Sequence, residues 1–290
     1  MLRRWYGSKD HHVQDHDERQ AKINELRATI GPLSGHALKF CSDACLSRYL
    51  EARNWNVHKS KKMLEDTLRW RATYQPEEIR WDEVAMEGET GKVYRADFHD
   101  RFRRSVLILN PAKQNTTSED NQLRHLVYLL ENAIINLPPE QEQMVWLIDF
   151  NGWSLSNYVP VTTVREATNI LQNHYPERLA AALLYNPPRI FEAFWKIVKY
   201  FLDSKTFAKV KFVYPKNEEC TSFMQQVFDF DKLPTAFGGN NESEYDNEEF
   251  SKLMRQDDIK TAQYWMSDEK SSEMNGNLAS KSDLKVDADP

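Results

Sequence analysis

Apolar residues in the N-terminal part of the chain recur every three or four positions, the spacing that gives a helix one apolar face. Ile23 and Leu26 follow this spacing in the first helix, which a Gly-Pro pair ends. Ser42 and Asn56 each precede a further apolar pattern of the same period, and both residue types are favoured N-caps. The pattern therefore predicts a small helical bundle over residues 16–80.

Beyond residue 84 the apolar positions form short runs that are typical of strands. These runs cover residues 93–98, 105–109, 144–150, 179–185 and 210–214. Amphipathic helical patterns separate the later runs, and strands joined through helices need crossover connections, so these strands should be parallel. Only a short link containing Asp100 joins the first two runs, which favours an antiparallel hairpin. We therefore predict an α/β fold over residues 84–240, with a mixed, mostly parallel five-stranded sheet flanked by helices.

The two ends of the chain are polar. Residues 241–290 hold thirteen Asp and Glu but six Lys and Arg, a charge of −7, which leaves +1 for the rest of a chain whose net charge is −6. Since apolar anchors are few, we expect this acidic tail to be largely disordered and residues 1–15 to form a flexible leader. The nearly neutral body has no basic run, which argues against nucleic acid as a partner.

The sequence contains neither a membrane span nor a catalytic motif. Its longest apolar run, residues 179–185, falls far short of the roughly 20 residues that cross a bilayer. The arginines near the start lack a following apolar stretch, so no secretory signal is expected, and three cysteines agree with the reducing cytoplasm. Nucleotide-binding glycine motifs, H-E-x-x-H and G-x-S-x-G are absent from the sequence. We therefore expect a cytoplasmic protein that is not an enzyme and uses neither metal nor cofactor.

Residues 190–202 form the most apolar helical pattern of the chain. On a helix, their apolar side chains cover most of the circumference, and they include Phe191, Phe194, Trp195, Val198 and Phe201. Such a helix must be covered on nearly every side, as a central core helix is. The alternative is a lid that covers an oily ligand on one side and meets a membrane on the other.

Four short motifs follow one another along the chain between residues 40 and 240. They are Glu-Ala-Arg-Asn around Arg53, Tyr-Pro-Glu-Arg at 175–178, Thr-Phe-Ala-Lys at 206–209 and Leu-Pro-Thr-Ala-Phe-Gly-Gly at 233–239. With these motifs in this order, the chain resembles the CRAL-TRIO family of lipid-transfer proteins, in particular its phosphatidylinositol transfer branch. The resemblance implies an apolar pocket that holds phosphatidylinositol as its ligand, and a mobile gate helix, which favours the lid over the core helix. It also implies transient contact with a membrane surface, and we expect the protein to be a monomer.

The resemblance further implies a site for the lipid headgroup. The residues that match the family's headgroup ligands are Arg53, Glu177, Thr206 and Lys209. Their chemistry fits, because a phosphate diester needs cations while inositol hydroxyls need acceptors such as a carboxylate. One departure is Asn54, which stands where the family usually has a second basic residue.

A second departure concerns the strand at residues 144–150. Family members that also hold phosphatidylcholine have Ser and Thr at the positions of Met144 and Trp146, so the second ligand of an exchange cycle is open. Three rival functions also remain. The chain could carry another hydrophobic ligand, such as a sterol or tocopherol, it could be a scaffold without ligand, or it could be a hydrolase with an unrecognised site.

Overall fold

The computed structural model describes residues 8–154 and 159–266, which fold into two compact units. The helical unit comprises the described residues up to Arg69 and those from Ile259 onward, and the α/β unit comprises Trp70–Asp258. The units are thus divided after Arg69 and after Asp258, whereas the domain boundaries expected from sequence lie at residues 80 and 240. Those boundaries stay a prediction.

Eleven helices of α type are present in the described residues. They are α1 (Ser8–Ile30), α2 (Gly35–Phe40), α3 (Asp43–Ala52), α4 (Val57–Tyr74), α5 (Trp81–Gly88), α6 (Glu119–Ile135), α7 (Val161–His174), α8 (Phe191–Val198), α9 (Ser204–Ala208), α10 (Glu218–Val227) and α11 (Asn247–Met266). The two predicted N-caps are confirmed, because the Ser42 hydroxyl accepts from the Cys45 N–H at 3.2 Å. Likewise the Asn56 side-chain oxygen accepts from the Lys59 N–H at 2.9 Å.

The helical unit has its own apolar core. Leu26 of α1 is fully buried together with Leu46 and Leu50 of α3 and Leu64 of α4. The predicted helical bundle is therefore confirmed. The first helix, α1, begins at Ser8, and residues 1–7 lie outside the described residues. The flexible leader expected over residues 1–15 stays a prediction.

The α/β unit contains one five-stranded sheet. Its strands are β1 (Val93–His99), β2 (Ser105–Leu109), β3 (Met144–Asp149), β4 (Leu179–Tyr185) and β5 (Val210–Val213), in that spatial order. The pair β1 and β2 is antiparallel and all the other pairs are parallel, which confirms the predicted mixed sheet. At the hairpin, the Asp100 carboxylate accepts from the N–H groups of Phe102 and Arg104, each at 2.9 Å.

Alternate side chains of each strand point to opposite faces of the sheet. On the front face, Met144 packs among residues of α6 and α7, whereas Ile148 and Leu184 pack against α8. On the back face, Leu147 and Leu183 pack against α10. The front face therefore carries the helices that surround the expected lipid pocket, and the back face carries a separate apolar core.

The turn before the acidic region depends on paired glycines. Gly238 has a φ of 81°, a left-handed conformation that residues with a Cβ rarely adopt. A Cβ added to Gly239 would lie 2.0 Å from the Leu233 carbonyl oxygen. These two constraints explain the Gly-Gly pair at the end of the motif at residues 233–239 and confirm a structural turn there.

The beginning of the acidic region is ordered. Phe250 and Met254 of α11 are buried in the core on the front face. Asp257 accepts hydrogen bonds from Arg95 at 2.7 Å and from Asn132 at 2.9 Å. The expectation of a disordered tail is therefore wrong for Asn247–Met266, since a few well-spaced apolar residues anchor a helix that is polar on average. Residues 267–290 lie outside the described residues.

His125 is the clearest source of pH-dependent stability. Its imidazole is buried in α6, and burial, helped by the positive charge of Lys92, lowers the pKa of His125 to about 3. Below about pH 6.5 the His125 imidazole is protonated in the unfolded chain but stays neutral in the folded chain. The free energy of unfolding should therefore fall as the pH drops from about 6.5 towards 3.

We expect His125→Phe to remove this dependence. The difference in unfolding free energy between wild type and variant should change by roughly 1 kcal/mol per pH unit in that window. Denaturant unfolding at several pH values measures this difference, with exposed His58→Gln as the control. A difference that stays constant with pH would contradict the buried neutral state of His125.

Candidate functional site

Glu177 and Lys209, two of the four residues expected to bind a headgroup, form an ion pair. They precede the parallel neighbours β4 and β5, whose N-terminal ends lie at the same edge of the sheet. The Lys209 Nζ lies 2.8 Å from the Glu177 Oε2, and 23% and 15% of their side chains are exposed. The sheet edge thus presents a donor and an acceptor side by side, both reachable from solvent.

The residues flanking Glu177 hold it in place. The Tyr175 hydroxyl is buried and donates to the Glu131 carboxylate at 2.7 Å. The Arg178 guanidinium donates to the Glu142 side chain at 2.7 Å. Between them Glu177 has a φ of 56°, a left-handed conformation that costs a non-glycine residue about 1 kcal/mol or more. Sequence reasoning missed these anchoring roles of Tyr175 and Arg178, because neither partner lies near them in the chain.

Thr206 lies in α9, one helical turn before Lys209. Residues three apart on a helix are neighbours on its surface, so Thr206 and Lys209 share a side of this segment. Asp203 caps α9 and accepts from the Thr206 N–H at 2.8 Å and from its hydroxyl at 3.1 Å. The Thr206 oxygen is thereby oriented and keeps its lone pairs available as acceptors.

Arg53 belongs to the helical unit. It ends α3, where its N–H donates to the Leu50 carbonyl at 3.1 Å, and its side chain is half-buried. Asn54 and Trp55 follow it in left-handed conformations, with φ values of 52° and 60°. The Arg53 side chain makes no hydrogen bond or ion pair with any residue that the structure describes. That it joins the other three headgroup residues stays a prediction.

The gate segment, residues 190–202, is shorter as a helix than its pattern suggests. It consists of α8 and a 3₁₀ helix over Lys199–Phe201. Phe191 and Val198 are buried, and Phe194, Trp195 and Phe201 are half-buried, whereas Ile190, Ile197 and Tyr200 are 51%, 47% and 81% exposed. The expectation that the segment is covered on nearly every side is therefore wrong. It forms an outer layer with one apolar face on the sheet and a second apolar face open to solvent.

Aromatic rings fill the space between α8 and the front face of the sheet. The Phe191 ring centroid lies 4.3 Å from that of Phe150, and the Trp195 centroid lies 5.4 Å from that of Phe212. Rings at these distances are in contact. An acyl chain can therefore enter this region only if α8 or its rings move.

Gln172 of α7 fastens the far end of the gate segment. Its Nε2 donates to the Phe201 carbonyl at 2.8 Å, and its Oε1 accepts from the Asp203 N–H at 2.7 Å. One side-chain amide thus bonds the backbone on both sides of Leu202. Sequence reasoning missed this contact, because a glutamine on an amphipathic helix gives no signal of its partner.

Met144 and Trp146 lie on the front face. The resemblance implies Ser and Thr at these positions in members that also hold phosphatidylcholine. Met144 is buried in the core, and Trp146 is half-buried. The Trp146 Nε1 is itself buried and has no acceptor among the residues that the structure describes. This part of the sheet therefore presents a thioether and an indole in place of two hydroxyls.

Comparison with protein families places the chain in one of them. The CRAL/TRIO domain matches residues 88–239, and the CRAL/TRIO N-terminal domain matches residues 12–66. Since the first match alone covers more than half of the 290 residues, the chain belongs to the CRAL-TRIO family, as the motifs predicted.

Three curated relatives match most of the chain. A CRAL-TRIO domain-containing protein of Schizosaccharomyces pombe is 38% identical over 206 residues, which are 71% of this chain and 20% of that protein. Phosphatidylinositol transfer protein PDR17 of Saccharomyces cerevisiae is 35% identical over 221 residues, 70% of this chain and 63% of that protein. The SEC14 cytosolic factor of Yarrowia lipolytica is 30% identical over 244 residues, 78% of this chain and 49% of that protein. The chain thus spans less than two thirds of each of these relatives.

A solved structure supports the fold. The crystal structure of Sfh5 matches 75% of this chain and 81% of its own, with a TM-score of 0.56 and 19% sequence identity. At this identity the likeness concerns the architecture alone, and it confirms the predicted α/β fold with helices at its N-terminal side. Among the described helices, none combines the length and the apolar character that a membrane crossing requires.

Proposed function

We propose that the chain is a cytoplasmic lipid carrier, without enzymatic activity, that holds one phosphatidylinositol and exchanges it at membranes. The observation that carries this proposal is the Glu177–Lys209 ion pair at the sheet edge, next to a gate segment with two apolar faces. A relative of 35% identity is named a phosphatidylinositol transfer protein, which supports the same cargo. In this transfer cycle the bound phospholipid is the ligand, no cofactor is used, and the carrier acts as a monomer.

The headgroup would be held by complementary groups. The Glu177 carboxylate and the Thr206 oxygen accept from inositol hydroxyls, while Lys209 contacts the phosphate diester, the role that the family motif also implies for Arg53. The ion pair between Glu177 and Lys209 keeps both side chains oriented before the lipid arrives, which lowers the entropy lost on binding. A sterol has no phosphate and a single hydroxyl, so it would leave most of these groups unused.

The acyl chains would lie between the gate segment and the front face of the sheet. Each CH₂ group buried there contributes about 0.8 kcal/mol, which offsets the separation of the rings now in contact. A gate with two arrangements follows, since lipid and ring packing compete for the same space.

The outward face of the gate segment suits a membrane interface. Ile197 and Tyr200 are exposed, and the exposed Lys196 and half-buried Lys199 place positive charge beside them. Aromatic side chains favour the headgroup level of a bilayer, and lysines are attracted to anionic lipids. Contact with a membrane can therefore stabilise an outward position of the gate and release the ring contacts beneath it.

Native mass spectrometry of the purified protein, followed by lipid extraction, tests the cargo. We expect one phosphatidylinositol per chain, with phosphatidylcholine a minor component and poorly transferred, because Met144 and Trp146 supply no hydroxyl donors to its phosphate. Equal transfer of both phospholipids between vesicles would show that the choline lipid uses other contacts. A bound sterol, or a protein that carries no lipid at all, would contradict the proposed function.

A further inference from the structure

A cavity of about 270 Å³ lies on the back face of the sheet, away from α8. Its apolar floor includes Leu183 of β4 and Val227 of α10, both of which are buried. Three cationic residues, Arg104, Lys209 and Lys211, line the same cavity. We call this cavity the back cleft. It combines an apolar surface with positive charge, and of its three cations only Lys209 also takes part in the proposed headgroup site.

The Arg104 guanidinium is held in a fixed orientation, but only one of its nitrogens makes a hydrogen bond to a described residue. The Arg104 Nε donates to the Asp100 Oδ2 at 2.6 Å, and only 16% of the Arg104 side chain is exposed. Its two terminal nitrogens donate to no acceptor within the described part of the chain. Since Asp100 also accepts from two backbone N–H groups, the guanidinium is fixed with its remaining donors available.

Lys211 is the cation of the back cleft that has no carboxylate partner among the described residues. Its Nζ lies 4.3 Å from the centroid of the Phe223 ring. Lys209 is balanced by Glu177, and Arg104 by Asp100. The back cleft therefore carries one positive charge in excess, which matches a singly charged anion.

We propose that the back cleft binds a singly charged amphiphile, whose carboxylate or phosphate diester contacts Arg104 and Lys211 and whose apolar part contacts Leu183 and Val227. A guanidinium with free terminal nitrogens suits the paired oxygens of either group. The volume is small beside ordinary ligand pockets of about 300 Å³ or more, so the cleft takes the anionic end and the first few carbons. The amphiphile is either free in solution or part of a membrane lipid.

Calorimetric titration of the full chain with octanoate and with acetate tests the proposal. Octanoate should bind more tightly than acetate, because only octanoate reaches the apolar floor. Lys211→Ala and Arg104→Lys should each weaken octanoate binding about tenfold, the loss expected for one charge-assisted contact. Arg104→Lys keeps a cation beside Asp100, so this variant should remain folded, and a weaker affinity for octanoate would reflect the lost guanidinium contact. The control Lys252→Ala removes an exposed lysine of α11 and should bind octanoate as the wild type does.

Vesicle binding separates the two sources of the amphiphile. If the ligand is a membrane lipid, adding phosphatidylglycerol to phosphatidylcholine vesicles should increase binding of the wild type but not of Lys211→Ala. If the ligand is a free amphiphile, only octanoate binding should depend on Lys211. Unchanged octanoate binding in both back-cleft variants, or equal affinity for acetate and octanoate, would overturn the proposal. Phosphatidylinositol transfer should persist in Lys211→Ala, and its parallel loss would show that the cleft is not a separate site.

Discussion

Glu177→Lys is expected to lower phosphatidylinositol transfer between vesicles at least about tenfold, a loss of roughly 1.4 kcal/mol in binding. The substitution replaces an acceptor for inositol hydroxyls with a charged donor. It also places a second ammonium beside Lys209, whose Nζ now lies 2.8 Å from the Glu177 carboxylate. Because like charges at this distance repel, some stability should be lost together with transfer.

The charge-swapped double variant Glu177→Lys, Lys209→Glu separates the two effects. It restores an ion pair at the sheet edge, so its melting temperature should return close to that of the wild type. Transfer should stay low, because the acceptor and the donor have exchanged places relative to the headgroup. Wild-type transfer by the swapped variant would remove Glu177 and Lys209 from the proposed headgroup site.

Ile197→Asp together with Tyr200→Asp should abolish exchange at membranes while leaving the fold intact. Both side chains are exposed, so the carboxylates remain in water in the free protein. At a bilayer the same carboxylates would have to approach the apolar region, which is strongly unfavourable. Measuring thermal unfolding beside vesicle-to-vesicle transfer distinguishes the two contributions.

Two comparisons make this test specific to the gate segment. Met86→Asp changes a side chain of α5 that is 71% exposed, so it should affect neither unfolding nor transfer. Phe191→Ala instead empties a buried position between α8 and the sheet, and it should cost about 3–5 kcal/mol of stability. Unchanged transfer by the folded Ile197 and Tyr200 double variant would show that the outward face has no role in membrane exchange. Unfolding of this variant would instead show that the two side chains are needed for the fold.

The strands were predictable because their signals are local. The runs that end at Leu109 and Tyr185 match β2 and β4 residue for residue. A buried strand is apolar along its whole length and is bounded by turn residues. Its first and last residues can therefore be read from neighbouring positions in the sequence. The caps at Ser42 and Asn56 are local in the same sense, because donor and acceptor lie three residues apart.

The features that sequence reasoning missed depend on distant partners. α11 is held by Phe250, whose ring contacts Trp81, and by Met254, whose carbonyl accepts from the Tyr128 hydroxyl, and both partners lie more than a hundred positions earlier in the chain. The many charged residues of α11 make its average composition polar, so this composition does not indicate the two apolar anchors. For the candidate site, the motif residues Glu177 and Lys209 were predicted and do meet. The Gln172 contact to the gate segment was not, since a side-chain bond to a distant backbone leaves no trace in spacing.

The place of the gate segment in the chain has a consequence for the movement proposed for it. α8 and α9 form the connection between β4 and β5, and β5 is an edge strand of four residues with β4 as its neighbour. Displacing this connection would strain the short pairing between β4 and β5. The strands β2, β3 and β4 would stay paired. Hydrogen exchange in β5 should accordingly run ahead of exchange in β3, as in a unit that opens locally below the global unfolding energy. The movement proposed for the gate segment would thus act on β5, the edge strand whose loss leaves the pairing of the other four strands intact.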